Sequence, residues 1–133
     1  MFIIFMLFAC SSSKVKVSVS SASELNPDIN HQSLPVVARI YQLKDKQQFD
    51  AAHFHALWKE DTKTLGQDLL SKEEILIYPE DIKKIPILRH DNAQYIAVVA
   101  LFRDYKQGEW RVVTPVKRKL KVSLENNTLS IEG

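Results

Sequence analysis

The 133-residue sequence predicts a mainly β fold, a two-sheet β-sandwich of about eight strands with a short helical insertion between strands 2 and 3. Three observations support this prediction. Apolar and polar residues alternate in many short stretches, turn signals separate those stretches, and one segment, 44–66, lacks the alternation. A period of two is typical of strands with one buried face. Many such strands with turns between them favour a sandwich.

The strands differ in the position that their sequences indicate. At 15–19, valines alternate with a lysine and a serine, which predicts a strand with one wet face. The run "KIPIL" at 84–88 contains Pro86, which donates no backbone hydrogen bond and therefore places this strand at an edge or a bulge. The run "YIAVVALF" at 95–102 is apolar on both faces and predicts a central strand. The remaining strands are predicted at 36–43, 74–79, 109–116, 117–125 and 128–132, with a tight asparagine turn at 126–127.

The helical insertion is predicted at about 45–66. Asp50 is suited to cap a helix that begins at the next residue. Phe49 and Phe54 have the spacing of a hydrophobic staple, and Gly66 offers a helix stop. One helical face would present Phe54, Leu57 and Trp58. We expect Trp58, like Trp110, to belong to the core.

The amino-terminal residues 1–9 are apolar without interruption. They are too few for a membrane-spanning helix, which needs about 20 apolar residues. They match the hydrophobic region of a secretory signal peptide. The positive charges that normally precede such a region are missing, which indicates a start assigned too late or a lost amino end. We therefore predict a signal peptide at 1–9.

The only cysteine, Cys10, follows this region directly. The stretch Leu7-Phe8-Ala9-Cys10 resembles a bacterial lipobox, in which a small residue precedes a thiol that receives a diacylglyceryl group, although Phe8 is larger than usual at its position. Cys10 is thus the predicted lipidation site, 10–14 a tether, and 15–133 the sandwich domain. A serine after the cysteine, rather than an aspartate, points to the outer membrane. The alternative is a buried amino-terminal strand with an inert cysteine.

Composition excludes several classes of function. A net charge of +2 gives no large field for nucleic acid. His53 and His55 would point to different faces of a helix and could not bind one metal ion together. No nucleophile motif is recognisable. We therefore expect a protein that is not an enzyme and has no cofactor, no metal, no nucleic-acid partner and no small-molecule substrate.

The run "KRKLK" at 117–121 places its lysines on one strand face, with Leu120 and Val122 on the other. Such a run could bind nucleic acid or anionic lipid. Lysines on an exposed strand also guard against edge-to-edge pairing, and this is the interpretation that we favour from sequence.

The connection between the first two strands, "SELNPDINHQSLP" at 23–35, is longer than the two to five residues that a hairpin needs. Apolar and polar residues mix within it, and prolines stiffen both ends. Exposed apolar residues on a proline-braced loop are typical of a protein-binding loop, the alternative being unstructured filler. The predicted partner-binding residues are Asn26, Pro27, Asp28, Ile29, Asn30, His31, Gln32, Ser33, Leu34 and Pro35.

Several stretches together resemble a known family. After the lipobox come "LNPD", "LPVVARIYQLKDKQQFDAAHFHALW", "LGQDLL", "YIAVVALFRD" and "WR". This pattern is similar to the outer-membrane lipoprotein of the type VI secretion system, the TssJ (SciN) family, over nearly the whole chain from Cys10 onwards.

The resemblance implies a transthyretin-like sandwich with added helices, lipid-anchored on the periplasmic face of the outer membrane. It implies a non-enzymatic adaptor that binds the periplasmic carboxy-terminal part of TssM and, with TssL, completes a trans-envelope complex. The family's TssM contact falls on the loop at 26–35. The alternative function is a periplasmic lipoprotein that carries a small apolar ligand, which would need a concave apolar pocket.

Overall fold

The protein folds into two four-stranded sheets that pack face to face, in a computed structural model that describes residues 13–132. The first sheet has the order β4-β1-β7-β8 and the second the order β3-β2-β5-β6. The predicted signal peptide at 1–9 and Cys10 lie outside the described residues. The strands are β1 Lys14–Leu25, β2 Val36–Leu43, β3 Leu69–Ile77, β4 Ile82–Leu88, β5 Tyr95–Ala100, β6 Arg111–Pro115, β7 Lys119–Asn126 and β8 Thr128–Glu132.

In the first sheet, β1 pairs antiparallel with β4 and parallel with β7. The strand that contains Pro86 is an edge strand, as its missing donor predicted. The strand that contains the lysine run is not: β7 lies between β1 and β8. Its alternation is as predicted, since Lys119 and Lys121 are exposed while Leu120 and Val122 are buried. The interpretation of these lysines as an edge guard is therefore wrong.

In the second sheet, the strand predicted to be central is central. β5 lies between β2 and β6, and the side chains from Ile96 to Ala100 are all buried. One face of this sheet packs on the first sheet and the other is covered by helices, so both faces of β5 are excluded from solvent. This double coverage explains the apolar run on both faces.

The insertion contains two helices, α1 Gln47–Ala51 and α2 Phe54–Leu65, where the sequence predicted one. Asp50 lies inside α1 and caps nothing, and His53 precedes α2 without a capping side chain. Gly66 ends α2 as predicted, with a φ of 57° that L-residues adopt only at a cost.

Two arginines of the second sheet hold these helices in place. The guanidinium of Arg111 donates to the carbonyls of Phe49 and Ala52 at the end of α1, at 3.0 and 2.7 Å. Arg39 donates to the carbonyls of Leu57 and Trp58 in α2, at 2.9 and 3.1 Å. These bonds supply side-chain donors to carbonyl groups of the two helices and thereby attach both helices to the sheet.

The space between the sheets is filled by side chains from both inner faces, and the fully buried members of this cluster are 4% exposed or less. A second apolar cluster, which includes Tyr41 and Phe49, lies between the second sheet and the helices. Trp110 packs against both clusters, in agreement with its predicted core position. This close packing of the described residues between the sheets counts against an internal apolar ligand site and so against the carrier function.

Candidate functional site

The loop between β1 and β2, which we call the partner loop, comprises residues 26–35. It crosses from the first sheet to the second at the end of the sandwich where β1 finishes. Because β1 continues to Leu25, the loop is slightly shorter than the stretch that the sequence marked as a connection, and it coincides with the predicted partner-binding residues.

Asn26 fixes the base of the partner loop. It is only 6% exposed, and its side-chain amide donates to the carbonyl of Pro35, at 2.9 Å, so that it ties the two ends of the loop together. Its side-chain oxygen accepts the backbone N–H of Arg103 at 2.8 Å. Its own backbone N–H donates to the carbonyl of Asn126. Its φ of 44° is a left-handed value that asparagine tolerates better than most residues.

Asp28 organises the tip. One of its carboxylate oxygens accepts the backbone N–H groups of Asn30 and Gln32, at 2.8 and 3.0 Å. The backbone N–H of Asp28 donates to the carbonyl of Gln32, and that of His31 donates to the carbonyl of Asp28. A side chain that accepts from backbone groups a few residues on is the usual way for aspartate to build a turn.

Neighbouring segments support the loop from outside. The guanidinium of Arg103 donates twice to the carbonyl of Pro27, at 3.1 and 3.0 Å. The hydroxyl of Ser33 donates to the carbonyl of Ser23 and accepts the N–H of Leu25. The partner loop is therefore an ordered element whose backbone polar groups are largely satisfied, which argues against unstructured filler.

The predicted partner-binding residues thus divide into two groups. Asn26, Pro27, Asp28, Ser33 and Leu34 are buried or half-buried and shape the loop, while the exposed residues are Ile29, Asn30, His31, Gln32 and Pro35. Ile29 is 80% exposed, the most exposed of the large apolar side chains that the structure describes. Ile29 is therefore the large apolar side chain of this loop that stays free to make contacts outside the chain.

An aromatic groove of about 410 Å³ adjoins the partner loop. It lies between the start of β2, the helix α2 and the connection after β5. Phe54 forms its floor, stacked on Tyr105 with ring centroids 3.9 Å apart and meeting Trp110 edge-on at 5.0 Å. Trp58 was expected in the core, but it is 43% exposed at the rim of this groove. The sequence placed Trp58 on one helical face with Phe54, but it could not show which part of that face is covered by neighbouring residues.

The sequence also gave no sign of the buried polar cluster under α2. Asp61 is 7% exposed and accepts hydrogen bonds from Tyr41 at 3.0 Å, Arg39 at 3.2 Å and Lys72 at 3.1 Å. Arg39 also pairs with Glu74 at 2.8 Å. Glu60, the sequence neighbour of Asp61, is exposed. Only the pairing of β2 with β3 brings these residues to the kink in α2, at Glu60.

Burial, hydrogen bonds and neighbouring charges set the pKa values of Asp61 and Tyr41 in this cluster. Burial alone would raise the pKa of Asp61, but hydrogen bonds from Lys72 and Tyr41 and the charges of Arg39 and Lys72 outweigh it, and the pKa is lowered. Burial, more than its neighbours, raises the pKa of the Tyr41 hydroxyl, which stays protonated and donates to Asp61. The cluster attaches α2 to the sheet and thereby sets one wall of the aromatic groove.

Within 13–132, histidine and acidic residues form no group of three or more that could hold a metal ion. In the same part of the chain, none of the helices has the length and apolar character to cross a membrane. The predicted lipidation site Cys10 precedes the first described residue, and β1 begins four positions after it.

The described residues thus form a β-sandwich domain with an ordered loop between its first two strands. The family model T6SS-SciN, described as the type VI secretion lipoprotein, VasD, EvfM, TssJ, matches residues 13–131. The chain belongs to this family. No curated protein sequence matches it at a significant level.

Solved structures share the fold over nearly their whole length. The type VI lipoprotein TssJ1 of Pseudomonas aeruginosa is 28% identical, with a TM-score of 0.86 over 91% of this chain and 95% of that one. Serratia marcescens Lip, a membrane-bound component of the type VI secretion system, has the same TM-score at 19% identity, over 92% and 97% of the two chains. A chain of a structure described as a type VI membrane complex is 26% identical, with a TM-score of 0.83 over 91% and 98%.

Proposed function

We propose that this chain is a lipid-anchored adaptor on the periplasmic face of the outer membrane. Through the partner loop it binds the periplasmic carboxy-terminal domain of TssM, and through TssM it joins TssL in the trans-envelope complex of the type VI secretion system. The anchor is a diacylglyceryl group on Cys10. Family membership supports the secretion system, and the lipobox supports the anchor.

A further similarity supports the choice of partner. A chain from a structure described as "T6SS protein TssM C-terminal domain (869-1107) from EAEC" is 25% identical to this one, with a TM-score of 0.80. The alignment takes up 90% of this 133-residue chain and 98% of the matched chain. The matched chain is therefore much shorter than the fragment in the description, as a companion of TssM in a complex would be.

The observation on which the proposal rests is the ordered partner loop with Ile29 at its tip, 80% exposed. Because Asn26, Asp28 and Arg103 hold the loop in one conformation, little conformational entropy is lost when a partner binds it. The loop also lies at the far end of β1 from the anchor. A strand of 12 residues spans roughly 35 Å, so the loop is presented well away from the point of attachment.

Calorimetry with the purified periplasmic domain of TssM tests the proposal. Burial of a large aliphatic side chain stabilises by about 2 kcal/mol, and most of this is lost on truncation, so Ile29→Ala should weaken binding by about tenfold. Ile82 provides a matched control, because it is an isoleucine 72% exposed on β4, outside the partner loop. Ile82→Ala should leave the affinity unchanged. Equal affinities for the wild-type chain and Ile29→Ala would remove the loop tip from the interface.

A further inference from the structure

Five lysines converge on the outer face of the first sheet, at the end where β1 begins. We call this surface the basic face; it comprises Lys14, Lys16, Lys84, Lys119 and Lys121, all of them exposed. Strand pairing brings them together from three strands. Lys16 of β1 is directly opposite Lys119 of β7, and Ser18 lies between Lys84 of β4 and Lys121 of β7. An open depression of about 500 Å³ lies among four of them.

The lysines of the basic face are not neutralised within the described part of the chain. The ion pairs of residues 13–132 involve Arg39, Lys72 and Lys83, and none includes a lysine of this face. Glu132 is opposite Lys121 on β8 and still forms no ion pair with it. Like charges directly opposite each other destabilise a strand pair. With a net charge of only +2, the chain concentrates positive charge here at a cost to its sheet.

Because β7 is an interior strand, its lysines are not needed to block pairing at an edge. Of the interpretations that the sequence left for this run, contact with a polyanion remains. The position of the face selects the kind of polyanion. β1 begins at Lys14, and the four residues from Cys10 can span at most about 14 Å. With the lipid on Cys10, the basic face is therefore held within reach of the headgroups of the same membrane.

Exposed apolar side chains lie next to the lysines at this end of the sheet. Leu88 is opposite Lys14 in the β1–β4 pair and is 60% exposed, and Pro86, opposite Lys16, is exposed as well. Apolar side chains surrounded by lysines are typical of surfaces that lie at the boundary between headgroups and acyl chains.

We propose that the basic face is a second membrane contact, which binds the phosphate groups of anionic phospholipids and orients the anchored domain on the bilayer. Lipid chains and a basic patch together hold a protein more firmly than either does alone. Contact through the beginning of β1 leaves the other end of this strand, and with it the partner loop, pointing away from the membrane. The inference rests on the proposed lipid anchor for its geometry, and its test is made without the lipid.

The test uses residues 10–133, the chain without the predicted signal peptide, with Cys10→Ser, so that neither an acyl group nor the apolar residues 1–9 contribute, and measures co-sedimentation with vesicles. We expect binding to vesicles that contain phosphatidylglycerol in phosphatidylcholine, little binding to phosphatidylcholine alone, and loss of binding in high salt. Each lysine near an anionic surface contributes a factor of about five, so Lys16→Gln, Lys119→Gln and Lys121→Gln together should weaken binding about a hundredfold. Removal of facing like charges should not lower the thermal stability of the sheet.

The matched control removes three exposed lysines elsewhere, with Lys59→Gln, Lys63→Gln and Lys106→Gln, and changes the net charge by the same amount. It should retain most of the binding. Equal losses in both triple variants would reduce the effect to net charge and overturn the proposal. Equal binding to neutral vesicles, or tighter binding of polyglutamate than of anionic vesicles, would overturn it as well. None of these outcomes depends on TssM or on the acyl chains, so the proposed function can fail or hold separately.

Discussion

Replacement of Asn26 by alanine should loosen the partner loop while the sandwich remains folded. The variant loses the bond to the carbonyl of Pro35 and the bond from the N–H of Arg103, and both of these groups lie at the loop base. Each bond is worth about 1 kcal/mol. Alanine at a φ of 44° adds a cost of about 1 kcal/mol. The free energy of local opening should therefore fall by about 3 kcal/mol.

Hydrogen exchange at the Arg103 amide measures this opening directly, because that N–H donates to Asn26. A loss of about 3 kcal/mol corresponds to a hundredfold faster exchange or more. Asn26→Gly removes the same bonds without the cost of the left-handed backbone and should exchange more slowly than the alanine variant. Asn30→Ala, at the exposed tip, is the control and should exchange like wild type. Unchanged protection of the Arg103 amide in Asn26→Ala would refute the role of Asn26 in holding the loop base.

Three further predictions follow from other contacts. Asp61→Asn should cost about 3 kcal/mol near neutral pH, since it leaves Arg39 and Lys72 without their shared carboxylate. The pKa of Asp61 is lowered in the folded state, so the stabilisation by its carboxylate is present above the unfolded value of 3.8 and is lost as pH falls through the folded value. In urea unfolding, the free energy of unfolding of the variant should therefore fall less steeply at acid pH than that of wild type. An equally steep fall would contradict this. Gly108→Ala would place a methyl group 2.6 Å from the hydroxyl oxygen of Thr128 and closer still to a backbone carbonyl, and should lower Tm in calorimetry by roughly 8 °C; an unchanged Tm would contradict it. Cys10→Ser should move the protein from the membrane to the soluble periplasmic fraction of cells that are fractionated in high salt, where the basic face no longer binds anionic lipid, and a variant that stays with membranes under these conditions would contradict the lipid anchor.

The strands could be predicted from sequence because their signal is local. Alternation marks β1 and β7, an apolar run marks β5, and Pro86 marks an edge. Each of these patterns follows from which faces of a strand are covered, and coverage acts on consecutive residues. The bounds were less well predicted: β3 begins at Leu69, several residues before its apolar run.

The features that could not be predicted from the sequence depend on strand order. The position of β7 inside its sheet follows from a parallel pairing with β1, which joins residues about a hundred positions apart. The lysines therefore looked like an edge guard. The burial of Asp61 likewise depends on Arg39, Tyr41 and Lys72, which strand pairing brings to it from elsewhere in the chain.

In the candidate site, too, local features could be predicted from the sequence and contacts between distant residues could not. The length of the partner loop, its prolines and its apolar residues marked it as a binding loop, and these are local features. The roles of its residues are not local. Asn26 holds the loop through Arg103, 77 positions away, and leaves Ile29 free at the tip. A sequence can indicate that a loop binds a partner, whereas the contacts of its base show which side chains remain free to do so.

Site-specific photocross-linking in cells that assemble the secretion system tests the central claim most directly. A photoreactive amino acid at position 29, at the tip of the partner loop, should cross-link to TssM. The same amino acid at position 82, which also holds an exposed isoleucine, should not. A TssM adduct from position 82 but none from position 29 would contradict the proposal that this loop binds TssM.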